Sequence, residues 1–324
     1  MGRNGVKRGE VVRTEENGRI KYTGEYDDAT YWERIKRNLG WMGNTEEEWR
    51  ANQERLRDAT IGIAGTGGIG GATAMRLVRM GARHIKIADP EDFELSNIQR
   101  QAGAALDTIG RNKAEVVGEQ AFALTRDAEI EIFPQGLNDE TAEDFVAGCD
   151  IVTDQIEVFE WDAKYALHNA FRNSSAKAMY SVATMGHGAL VHKYTPDSMS
   201  IEELYQIPEG TRKAPDSARM LAAQAPWRIL PPFPKVEAIL RWGIEDGIVP
   251  IFGAAPATCE GVLIECICRE VMDLPGTVEF PVRPGYAFFD AYLWKAEVVD
   301  EAAGKAELDQ AIQAAQAAVA SGVQ

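Results

Sequence analysis

Two hydrophobic periods take turns along this chain. Short apolar runs of strand character stand at residues 60–64, 84–88, 128–133 and 149–154, and the segments between them carry apolar residues at helical spacing. The helical stretches fall after the glycines of 65–71, through Phe122 and Leu124, and over 139–147. The same alternation continues with a helix over 161–173, strands over 178–182 and 189–194, and an apolar helix opening at 253 and running through Met272. Upstream, helices are predicted over 31–40 and 45–57, the second with a capping sequence in Thr45-Glu-Glu-Glu48. Residues 1–30 have no period and read as a polar tail. Downstream come a strand pair, 278–280 and 287–298, and an alanine-rich helix over 301–324. Strands alternating with helices of this length predict an α/β fold. Its Rossmann-like sheet is largely parallel with helices on both faces, extended by a mixed C-terminal part.

That pattern divides the chain into five parts. Residues 1–58 are the tail and first helices, 59–195 the nucleotide-binding core, and 196–252 an insert. Residues 253–300 complete the core and 301–324 are the helical tail. The insert is rich in proline and aromatic residues, and within it 236–242 has helical spacing. Long connections of this kind serve as lids or binding loops, so the insert is expected to bind substrate.

The chemistry concentrates where the first core strand meets its glycines. Thr60-Ile-Gly-Ile-Ala runs into Gly65-Thr-Gly67-Gly68-Ile-Gly70-Gly71 and then into a helix. Without Cβ atoms at Gly65 and Gly67 the backbone can turn tightly and let a phosphate reach its N–H groups. The helix N-terminus behind them favours an anion. The next strand ends on Asp89, placed as the ribose-binding acid of a βαβ unit. Gly65, Gly67 and Gly70 also satisfy the dinucleotide fingerprint, so an NAD-dependent oxidoreductase remains an alternative.

The segment after Asp89 separates the two. Ser96-Asn97-Ile-Gln-Arg100-Gln101, followed by Gly110-Arg-Asn-Lys113, resembles the adenylating domain of the ubiquitin-activating-enzyme-like superfamily, the ThiF and MoeB relatives. The likeness covers about residues 60–195 and 250–298. It implies ATP- and Mg²⁺-dependent adenylylation of a carboxylate. In that scheme Arg100 and Lys113 supply cations to the phosphates, Asp89 anchors the ribose, and Asn97 and Gln101 shape the pocket. The family carries Asp-x-x-Asp-Asn after the next strand, and its second Asp binds magnesium. Here the text is Asp154-Gln-Ile-Glu157, so Asp154 fits the strand end and Glu157 falls under the second Asp by ungapped count. Asp154 is the preferred magnesium carboxylate. The family also places a helix near residue 31 whose arginine reaches the ATP phosphates of the neighbouring subunit, which implies a homodimer and points to Arg34 or Arg37.

Composition narrows the substrate. A net charge of −16 argues against nucleic acid and anionic membranes as partners. No apolar run approaches a membrane span and no signal peptide opens the chain, so the expectation is a cytoplasmic protein. Cys149, Cys259, Cys266 and Cys268 include no Cys-x-x-Cys pair, so no structural zinc is expected and the four read as buried small hydrophobes. His187, between two glycines, is read as a structural loop histidine. Cys259 is placed at a helix start and is no convincing thioester former. Without zinc or thiol the resemblance implies a peptide or small-protein carboxylate as substrate, as in pantocin- and microcin-type peptide modification. The alternative is an activating enzyme for a ubiquitin-like sulfur carrier.

Overall fold

The computed structural model describes residues 11–224, 229–235, 238, 250–275 and 278–320. Its fold begins earlier than the periodicity predicts. Residues 11–24, expected as tail, form a hairpin of β1 (Val11–Glu16) and β2 (Arg19–Gly24). The turn is Asn17-Gly18 with φ of 52° and 72°, the left-handed pair whose twist matches antiparallel strands. Ile20 is buried, and Tyr22 stacks on Phe122 with centroids 5.2 Å apart. Lys21 pairs with Glu129 at 2.6 Å and Arg19 with Glu131 at 3.5 Å on the adjoining strand. The turn chemistry and these cross-strand pairs order a segment that has few apolar residues. Arg3, Lys7 and Arg8 lie outside the described residues.

The core follows the predicted alternation. Helices α1 (Asp28–Ile35) and α2 (Glu46–Asp58) precede β3 (Thr60–Ala64), and Thr45 Oγ1 accepts the Glu48 N–H at 3.2 Å to cap α2. Then come α3 (Gly70–Met80), β4 (His84–Ala88), α4 (Lys113–Thr125) and β5 (Glu129–Phe133). After these the chain forms α5 (Asp139–Val146), β6 (Ile151–Asp154), α6 (Trp161–Arg172) and β7 (Ala178–Met185). These five strands are parallel in the spatial order β5-β4-β3-β6-β7. The chain runs outward from β3 to β5 and then returns to lay β6 on the other side of β3. That reversal is a topological switch point, where open α/β sheets bind ligands beyond the carboxyl ends of the strands.

The C-terminal half extends the sheet antiparallel through β8 (Gly188–Tyr194), β9 (Tyr286–Asp290) and β10 (Lys295–Val299), giving ten strands among the described residues. Here two expectations are corrected. Residues 278–280 are not a strand, and the long strand expected over 287–298 is a hairpin. Asp290 Oδ1 accepts the N–H groups of Tyr292 and Leu293 at 2.8 and 3.0 Å, and Trp294 takes φ 51°, so the chain reverses there.

Helices cover both faces, as expected. On one, α2, α3, α4 and α9 (Ala255–Val271) bury Leu56, Leu77, Val117 and Ile267 against Ile61 and Ile63. On the other, α5, α6, α7 (Ile201–Tyr205) and α10 (Glu301–Ala320) bury Phe145, Leu167, Leu204 and Ile312 against Val152 and Met179. α8 (Ser217–Gln224), inside the insert, packs Ala222 on Ala311 and Ala315 of α10. The helix expected over 236–242 falls outside the described residues. No helix of the described residues is long and apolar enough to cross a membrane.

Candidate functional site

The carboxyl ends of β3, β4, β6 and β7 open on a cavity of about 790 Å³. Its floor is the glycine loop. Gly65 has φ 90°, and a Cβ there would lie 2.4 Å from the Gln155 carbonyl oxygen. A Cβ on Gly70 would lie 1.9 Å from the Gly65 oxygen, so the loop can fold onto the start of α3 only as glycine. Gly67 is different. A Cβ there meets nothing closer than Gln101 Nε2 at 3.7 Å, which leaves the backbone open to the cavity. Gly68 lines it as well.

Asp89 holds this loop from the next strand. Its Oδ2 accepts the Thr66 N–H at 2.7 Å and the Thr66 hydroxyl at 3.0 Å, while Oδ1 accepts the Glu91 N–H at 3.0 Å. Burial raises the Asp89 pKa against these hydrogen bonds and the charge of Lys113. Lys113 is the first residue of α4, lines the cavity, and pairs through Nζ with Glu91 Oε2. Arg100 also lines the cavity, where its Nη1 donates to the Ser96 carbonyl at 3.2 Å and it meets no carboxylate among the described residues. Gln101 is buried on the cavity wall with Oε1 lacking a hydrogen-bond partner. An orphaned buried acceptor of this kind calls for a ligand donor. Asn97 is not on the wall. Its Oδ1 accepts the Glu94 N–H at 2.9 Å and caps the 3-10 turn Leu95–Gln99 that carries Arg100 and Gln101 into place.

The preferred magnesium carboxylate is buried and paired with a lysine. Asp154 ends β6 with its side chain 2% exposed, and Lys164 Nζ donates to both of its oxygens, at 2.9 and 2.7 Å. His168 Nε2 lies 3.2 Å from Oδ2, and the Ile156 N–H reaches Oδ1 at 3.1 Å. Burial would raise the Asp154 pKa, but the charge of Lys164 and the His168 hydrogen bond outweigh it and hold the carboxyl well below its usual range. A divalent cation on these oxygens would sit against an ammonium group. Glu157, the ungapped alternative, is exposed on the cavity wall and has no partner among the described residues. Lys164 and His168 escaped the sequence reading because both lie on the buried face of α6. Their spacing of four, with Lys164 ten positions after the strand-end acid, was the available signal.

The N-terminal arginines are elsewhere. Arg34 forms a forked pair with Asp127, at 3.0 and 3.2 Å from Nη2, and donates to the Val78 carbonyl at 3.0 Å. Asp127 precedes β5, so this pair lies at the amino ends of the parallel strands, away from its own chain's cavity. Arg37 is exposed on the same side. His187 packs its ring on Phe252 and Tyr292, at 4.6 and 5.2 Å, as a structural loop histidine would. All four cysteines are buried, and burial pushes each thiol up to about 12.

A parallel sheet with a glycine loop at its switch point, an acid on the following strand and two cations at the rim defines a Rossmann-like protein of the nucleotide-binding class. The chain belongs to the ThiF family, which it matches over residues 36–319. It is 34% identical over 102 residues to the sulfur carrier protein ThiS adenylyltransferase of Escherichia coli (strain K12), a stretch that makes up 32% of this chain. The chain spans only 41% of that relative's length. In fold it resembles PaaA, with a TM-score of 0.57 at 18% identity over 89% of this chain and 78% of that one. It also resembles E. coli MccB solved with AMPCPP and MccA, with a TM-score of 0.56 at 17% identity over 86% of this chain and 74% of that one.

Proposed function

We propose that this protein uses ATP to adenylylate a carboxylate on a peptide or small-protein substrate, in peptide natural-product modification. The carrying observation is the charged rim around the open glycine loop. Arg100 carries no carboxylate partner among the described residues, Lys113 lines the same cavity, and Gln101 Oε1 lacks a partner. Bringing a carboxylate up to a triphosphate joins two anions, so the site must supply positive charge where charge develops. The substrate carboxylate oxygen attacks the α-phosphorus and the bond to the pyrophosphate oxygen breaks. Pyrophosphate leaves and the acyl group remains as a mixed anhydride with AMP. In this scheme the open backbone at Gly67 receives the phosphates, Asp89 orients the ribose, and Arg100 and Lys113 meet the pyrophosphate charge as it separates. Glu157 would hold the magnesium ion that accompanies ATP and offsets phosphate charge when bound.

Four buried thiols with pKa values near 12 support a reaction that ends at the adenylate without an enzyme thioester. Activation of a ubiquitin-like sulfur carrier is the second reading, favoured by the likeness to a ThiS adenylyltransferase. The homodimer stands as a proposal with Arg37 as the crossing residue, since Arg34 is committed to Asp127. Thermal protection by ATP with Mg²⁺ but not by NAD, together with pyrophosphate exchange into ATP that depends on a carboxylate substrate, tests the assignment. Protection by NAD alone would replace it with the oxidoreductase.

A further inference from the structure

Among the described residues, the charged lining of the cavity is confined to one part of the fold. Its charged lining residues among those described are Asp89, Glu91, Arg100, Lys113, Asp154, Glu157, Glu160 and Lys164, all carried by the ends of β4 and β6, the segments after them, or the helices α4 and α6. The opposite wall is built by β7, α8, the segments around 230 and 250, and α10. It presents Val182, Met185, Leu221, Leu230 and Ile251 with small residues and prolines, and no charged side chain among the described residues. With the ribose acid on β4 and the glycine loop on β3, the phosphates and their cations lie on one side of the switch point. The neutral wall lies two strands further on, beyond β6, where the acyl substrate has to enter.

This wall continues onto the surface. Met185 and Ile251 line the cavity, and two residues on from the first and one on from the second stand His187 and Phe252, ring against ring at 4.6 Å. Tyr292 packs on His187 at 5.2 Å and on Phe233 at 6.3 Å. Phe252, Tyr292 and Phe233 remain 56%, 54% and 59% exposed, and Leu221 48%. An aromatic patch running into a neutral pocket marks an interaction site. The net charge of −16 gives a carboxylate-bearing partner no overall attraction, so apolar contact with this wall has a part in recognition.

We infer that the substrate is a peptide with a bulky apolar side chain next to its reacting carboxylate. That side chain sits against Met185, Leu221, Leu230 and Ile251, and the neighbouring segment lies over the His187, Phe252 and Tyr292 rings. The inference rests on the adenylation reading and names the substrate class for the same site.

The test uses full-length protein loaded with AMPCPP and two sets of labelled tetrapeptides, one with a free C-terminal carboxylate and one amidated with an internal Asp. The residue beside the carboxylate is Phe, Leu, Ser or Lys, and affinity is read by fluorescence anisotropy. Phe and Leu members of at least one set should bind roughly 10-fold or more tightly than their Ser and Lys counterparts, the gain expected from burying one large apolar side chain. Leu221→Asn and Phe252→Ser, both at exposed positions, should each weaken the Phe peptide by about 10-fold or more while the thermal shift given by ATP stays unchanged. Equal affinities, tighter Ser or Lys peptides, or no peptide binding to a protein that ATP protects would overturn the inference and leave adenylation standing. So would a Phe252→Ser/Tyr292→Ser variant that turns a dimer into a monomer with peptide affinity intact, since a second copy would then cover the rings. Loss of ATP protection in the wild-type protein would instead fail the adenylation reading itself.

Discussion

Replacing Asp154 with Asn separates two roles for that carboxylate. If it serves to hold Lys164, the substitution strands an ammonium whose side chain is 4% exposed, and breaking a buried pair costs about 3–5 kcal/mol. Asn keeps one oxygen that can accept from Nζ, which places the loss near the lower end. With an unfolding entropy of about 2.1 cal/mol/K per residue, a 324-residue chain shifts by about 1.5 °C per kcal/mol, so the melting temperature should fall by roughly 4–5 °C. Calorimetry of the nucleotide-free protein at neutral pH reads this directly. Acidification gives a second signature. The folded carboxyl titrates below its ordinary value of 3.8, so the pair's contribution is complete above that value and is lost as the pH falls through the lowered folded pKa. Asp154→Asn should lack that acid-dependent loss. Asp154→Asn/Lys164→Met should be more stable than Asp154→Asn, because the stranded charge is gone. An unchanged melting temperature in Asp154→Asn, with only the Mg²⁺ requirement altered, would refute the ion-pair argument and return the carboxylate to the metal.

Glu157→Gln should raise the Mg²⁺ concentration needed for half-maximal pyrophosphate exchange and leave thermal stability within about 0.5 kcal/mol, as for an exposed side chain. Lys113→Ala and Arg100→Ala should each lower exchange on the order of 10²-fold; retained exchange in both would remove their assigned roles. Cys259→Ala should leave adenylation intact, and iodoacetamide should not label the native protein at pH 7–8, because the thiol lies up near 12. Arg37→Ala and Lys113→Ala should each be inactive alone and regain activity when dimers are re-formed from a mixture, each mixed dimer holding one intact site. No rescue would leave Arg37 as a solvated side chain in the turn after α1.

The sequence disclosed the core because its evidence is local. Gly65 to Gly71 and the strand-end acids Asp89 and Asp154 are fixed by a few neighbouring residues, and the structure brings Gly67, Asp89, Arg100, Gln101, Lys113 and Asp154 to one cavity. Where partners are distant, the sequence signal is faint. Nothing beside Asp154 announces that Lys164 will fold back from α6 to occupy it, and nothing near Arg34 points to Asp127. Asn97 shows the middle case: its phrase was legible, but its side chain folds back on Glu94. The hairpin at 11–24 was readable from Asn17-Gly18, yet the polar run around it hid the signal. Asp290 likewise ends β9 with a side-chain turn that an apolar run of strand formers conceals.

The last helix carries a consequence for synthesis. Ala314 and Ala315 of α10 stand in the wall of the same cavity as Gly65, so a ribosome must deliver some 250 further residues after the glycine loop before the cavity is enclosed. A nascent chain halted before α10 has the glycine loop but lacks Ala314 and Ala315 from the cavity wall. With domains forming progressively during translation, the loop is organised before the cavity around it is enclosed.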